Sequence, residues 1–131
     1  MENQNGKNTE RKIQTVDEIM EQFGRGKMEL KTPIQDGENT ITVLHWDFTK
    51  LTGAEYADAL DLDERPGNVF RLTNTQALYL FAAAAAKETK ELNALDIRKR
   101  MGMMDAGKAI QLATVFFNAC SRAADGRISK D

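Results

Sequence analysis

Residues 27–48 read KMELKTPIQDGENTITVLHWDF, and their period decides the fold class. Met28, Leu30, Thr32 and Ile34 alternate with polar residues, the two-residue period of a strand with one buried face. Asp36-Gly37 supplies turn chemistry. Ile41 to Phe48, rich in β-branched and aromatic residues, reads as the returning strand. The predicted element is a β-hairpin with Leu44, Trp46 and Phe48 on one face. A lone hairpin is barely stable in water, so that face needs helices to pack on.

On both sides of the hairpin the period becomes helical. Upstream, Thr15 and Glu18 form a capping box, in which each side chain satisfies the other residue's backbone N–H. Val16, Ile19, Met20 and Phe23 follow at i, i+3, i+4 and i+7, one face of a helix. Gly24 is placed to end it as a left-handed residue. Downstream, Thr52 and Glu55 form a second capping box, opening a helix through about Leu62. Pro66-Gly67 marks a loop. Thr73 with Gln76 caps a helix from Thr75 to about Thr89, Asn93 caps a short one at Leu95 to Arg100, and a last helix runs from about Asp105 to Ala123. The alanines Ala82 to Ala86 favour helix and allow close helix approach, which predicts a core role. The expected fold is therefore α+β, mainly α: an N-terminal β-hairpin packed on a bundle of four or five helices. Its expected boundaries are a disordered tail over residues 1–14, one domain over 15–124, and a polar C-terminal tail over 125–131.

Composition limits the function classes. The 131 residues are 41% hydrophobic and 29% charged, enough for a core and a solvated surface. Eighteen Lys+Arg against twenty Asp+Glu leave a formal charge of -2, which does not advertise the basic face that phosphate neutralisation requires. No nucleic-acid partner is expected. The apolar run that contains Leu78 to Ala86 is far short of the roughly 20 residues of a membrane-spanning helix, and no membrane partner is expected either. With Cys120 as the only cysteine, no internal disulfide forms and a reducing compartment follows.

Several motifs invite chemistry and lack its context. Gly102 to Lys108 fits G-x-x-x-x-G-K, yet Ala109 stands where a phosphate loop needs Ser or Thr, and a helical turn precedes it instead of a strand. It reads as a helix–helix junction eased by glycine. His45, the only histidine, has no Cys/His cluster or carboxylate spacing around it, and belongs on the hairpin face opposite Trp46. Cys120 reads as a small buried hydrophobe near Phe116 and Phe117. The acidic run Asp58, Asp61, Asp63 and Glu64 starts like a calcium loop, but Arg65-Pro66 breaks the pattern. Asp105 begins a helix, where a carboxylate complements the dipole. No catalytic, cofactor or metal residues are expected.

Two apolar features point to partners instead. Val16, Ile19, Met20 and Phe23 form either a fixed part of the core or a mobile amphipathic segment that lies in the groove of a partner or of a sister subunit. In Val115-Phe116-Phe117 the adjacent aromatics point about 100° apart on a helix. They do not readily share one core-facing stripe, so one of them is expected at an interface, where aromatics are enriched. Six methionines add adaptable contact surface or core filling.

The strand ending Trp46-Asp47-Phe48, the following Leu51-Thr52 and helix, the alanine-rich Leu78 to Ala84, and Asp105 with Ile110, Val115, Phe116 and Phe117 form a familiar order. Over about Met28 to Ala123 the chain resembles the tail assembly chaperone family of siphophages and prophages. That resemblance implies a non-catalytic protein of the infected or lysogenic host cytoplasm, absent from the mature virion. It would coat the tape-measure protein, keep it soluble, and help bring tail-tube subunits to it. In many relatives a frameshifted form carries the extension that recruits the tail-tube protein, and the polar end Gly126 to Asp131 suits the unextended form. The Val16–Phe23 helix has no counterpart in the family pattern, and no family residue carries over as a binding residue. The alternatives are a structural tail component retained in the virion, and a small enzyme using Asp or His chemistry.

Overall fold

The computed structural model describes residues 15–62, 72–89 and 92–130, with the side chains of Val16 and of residues 122–130 left aside. The expected tail over residues 1–14, the Pro66-Gly67 loop, and Asp63 with Glu64 lie outside the described residues. The architecture is α+β and mainly helical: an N-terminal antiparallel two-strand hairpin packed against five helices. In chain order the elements are α1 (Val16–Phe23), β1 (Arg25–Asp36), β2 (Asn39–Asp47), a 3-10 turn (Phe48–Lys50), α2 (Gly53–Leu60), α3 (Asn74–Glu88), α4 (Ala94–Arg100) and α5 (Met103–Lys130).

The helix starts are local chemistry. Thr15, Thr52 and Thr73 each close a capping box, with Glu18, Glu55 and Gln76 respectively, and Asn93 accepts the Asp96 N–H at 2.8 Å. The helix ends are less local. Gly24 is right-handed, at φ -74° and ψ -24°, and not the left-handed residue expected. Glycine is required there by close approach: a Cβ would collide with the Met20 carbonyl oxygen and come within 2.9 Å of Thr49 Cγ2. Likewise α5 continues to Lys130, past the expected stop at Ala123. Gly126 weakens a helix by about 1 kcal/mol relative to alanine but does not end it as proline would.

The hairpin turns at Gly37-Glu38, with Gly37 at φ 65° and Asp36 paired to Asn39. Strand β2 stops at Asp47, one residue before the expected end, and Phe48 begins the 3-10 turn. The register slips between Glu29↔Val43 and Ile34↔Ile41, so Leu30, Lys31, Thr32 and Pro33 oppose Thr42 alone. Pro33, which lacks an N–H, suits such a bulge.

Leu44, Trp46 and Phe48 are all buried, as the alternation predicts, and His45 is exposed on the opposite face. The hairpin lays these residues on α3, which also packs on α2, α4 and α5. Helix α3 is the centre of the molecule: Leu80 to Ala85 are all buried, Ala83 being the most accessible at 8%. Its alanines allow α4, α5 and the hairpin to approach on different sides. Aromatic rings fill the space around them. Trp46 and Phe81 lie 5.2 Å apart, and Phe48 stacks on Phe116 at 4.9 Å. Among the described residues, no helix is long and apolar enough to cross a membrane.

Candidate partner-binding surface

The residues singled out for partner contact fall into three environments. Ile19 (2% exposed) and Phe116 (3%) are core, which corrects their assignment to a contact surface. Met20, Phe23 and Phe117 are half-buried and packed against that core. Val115 is 44% exposed. Val16 opens α1. The two stretches are brought together, because α1 packs directly on α5. Ile19, Met20 and Phe23 of α1 thus pack within their own chain, the first of the two readings the pattern allowed.

The adjacent phenylalanines fit together because Phe48 lies between α5 and the rest of the core. Phe116 stacks on Phe48 at an interplanar angle of 22°, while Phe117 meets Phe48 edge-on at 5.4 Å and stacks on Tyr56 at 5.6 Å. Two directions 100° apart therefore both find rings. Cys120 is half-buried beside them, and burial pushes its thiol above the ordinary range, the opposite of what an activated nucleophile needs. Burial, with a smaller contribution from Cys120, likewise raises the Tyr56 hydroxyl.

The surface that sequence patterning did not single out is the start of α5. Met103 is 83% exposed and Met104 64%, and Leu95 on α4 is 50% exposed. By contrast Met28 and Met101 are buried and Met20 is half-buried. The methionines therefore divide between core filling and surface.

That exposed turn is held in place. Asp105, 3% exposed, accepts the backbone N–H groups of Lys31 at 2.9 Å and Thr32 at 3.0 Å. Both donors lie in the β1 bulge, where the strand pairing is interrupted, so one carboxylate joins the hairpin to the helix. Gly102 sits directly on Thr32: a Cβ there would stand 2.8 Å from Thr32 Oγ1. The Ala106 N–H reaches the Gly102 carbonyl at 2.8 Å. Gly102 forms the expected helix–helix junction, whereas Gly107 lies inside α5.

At the open end of the hairpin, Arg25, Lys27, His45, Lys50 and Glu88 border a shallow cleft of about 420 Å³. Its charges largely pair off, with Lys50 Nζ at 2.8 Å from Glu88 and Arg25 at 3.9 Å from Asp47. Among the described residues, no group of three or more His, Cys, Asp or Glu side chains is placed to hold a metal ion.

No protein-family model, no curated protein and no solved structure matches the chain.

Proposed function

We propose that the protein is a non-catalytic tail assembly chaperone of a long-tailed phage or prophage, acting in the host cytoplasm. It would bind the tape-measure protein, keep it soluble, and bring tail-tube subunits to it through an extended form. The observation that carries the binding reading is the pair Met103 and Met104. They are 83% and 64% exposed on a helix start anchored by Asp105. Unbranched thioethers on a fixed surface suit a client whose apolar stripes vary along its length.

The choice of client rests on the resemblance. The stretches that carry it meet in one cluster, in which Phe48 touches Phe81, Phe116 and Phe117. The likeness therefore lies mostly in residues that build the core, Thr52 and Val115 being exposed.

Co-expression with the tape-measure protein encoded beside it tests the proposal. The expected result is co-purification and a higher soluble yield of the client. No association with a demonstrably expressed client overturns it. Stoichiometric amounts of the protein in purified virions would favour a structural tail component instead.

A further inference from the structure

We infer that the corner where α4 meets α5 docks an acidic amphipathic helix, one with an apolar stripe flanked by Asp and Glu. The inference deepens the chaperone reading by assigning the surface and the chemistry of the client segment it takes.

The corner presents apolar and basic groups in register. Leu95 and Lys99 stand four positions apart on α4, and Met104 and Lys108 four apart on α5, so Leu95 and Met104 each have a lysine one turn away, while Met103 has Gly107 at that spacing. Lys31 joins them through the bulge, since its backbone N–H is held by Asp105 at the same helix start. Lys31, Lys99 and Lys108 are exposed and make no ion pair among the described residues. Among the described residues, Asp36 and Asp96 lie 3.7 and 3.8 Å from Arg100, Asp105 is buried on the bulge, and Glu29 is the exposed carboxylate on the strand of Lys31. A chain whose formal charge is -2 thus exposes three lysines without an ion pair among the described residues, on or beside the helices that carry Leu95, Met103 and Met104. Charge complementarity selects an acidic partner, and the methionines and Leu95 select a partner with an apolar stripe.

The exposure is not that of a frayed end. Met101 beneath the corner is 8% exposed, Gly102 is pressed on Thr32, and Asp105 fixes the first turn. Little ordering is left to be done on binding, which favours association.

The test uses the full chain and two synthetic helical peptides with the same leucine stripe, one flanked by glutamates and one by lysines, titrated by fluorescence anisotropy. The acidic peptide should bind at least about tenfold more tightly than the basic one, with affinity falling as salt rises. Met103→Asp combined with Met104→Asp should weaken it at least about tenfold while leaving the melting curve unchanged. Lys99→Glu with Lys108→Glu should reverse the preference. Equal binding of both peptides, or binding indifferent to these variants, overturns the inference.

Client co-purification separates this from the chaperone reading. If the methionine variant still solubilises the tape-measure protein as the wild type does, the corner is wrong and the chaperone reading stands. If the wild type ignores that client but discriminates the peptides as described, the chaperone reading falls and the corner stands. A variant that changes only the sedimentation of the free protein identifies a second copy as the occupant, and overturns the inference.

Discussion

The middle of α5 and its first turn belong to one helix and are held by different physics. In the middle, Ala109, Ala113 and Phe116 are buried against α3 and Phe48, and non-directional apolar burial fixes the position. In the first turn, Met103 and Met104 stand in solvent, and a single carboxylate bonded to two backbone N–H groups fixes the position. The difference shows how a small protein keeps apolar surface exposed and ordered together. Directional hydrogen bonds anchor the turn, so its apolar side chains are not needed for packing and remain free for a partner.

Substitutions can break either side of this contrast. The largest effect is expected in the apolar half: Phe81→Ala, which removes the ring against both Trp46 and Phe48, should cost about 4 kcal/mol in urea unfolding. Asp105→Asn comes next, because an amide keeps one acceptor but turns a donor toward the second N–H. A loss of about 2 kcal/mol is expected, with faster hydrogen exchange at Lys31 and Thr32. Gly102→Ala should cost about 1 kcal/mol by pressing a methyl on Thr32, and Thr32→Ala in the same chain should recover only part of it, because Thr32 Cβ would still lie 2.9 Å away. Met103→Asp with Met104→Asp should stay within about 0.5 kcal/mol, since neither side chain is buried.

A pH titration sharpens the contrast from outside the core. Glu55 feels burial, which raises its pKa, but the Thr52 N–H and Lys87 outweigh that and hold it below the ordinary glutamate range. A depressed folded pKa means the contribution is complete above the unfolded pKa and is lost as pH falls through the folded one. Glu55→Gln should therefore narrow the stability difference between neutral and acidic pH. The urea midpoints of the two proteins at each pH check it.

What was legible in the sequence was what local chemistry decides. The three capping boxes involve residues three apart, and Leu44, Trp46 and Phe48 betray their face by alternation alone. What escaped depended on partners distant in the chain. Asp105 signalled a helix start, but its acceptor role rests on Lys31 and Thr32, more than seventy positions away. Gly24 was recognised as a terminator, yet the reason is Thr49 and the Met20 carbonyl, not a left-handed backbone. Phe117 was expected to compete with Phe116 for the core, and only the position of Phe48 and Tyr56 gives both a place. Met101 and Met103 look alike in sequence. The break at Gly102 resets the helical phase, which puts one inside and the other outside.

Hydrogen exchange of the protein, with and without the tape-measure protein proposed as its client, tests the α4–α5 corner as the binding surface most directly. Added protection is expected over residues 99–108, with α1 unchanged because Ile19, Met20 and Phe23 are already packed on the core. Protection confined to residues 16–23, with none at the α4–α5 corner, would contradict it and return the binding role to the amphipathic helix.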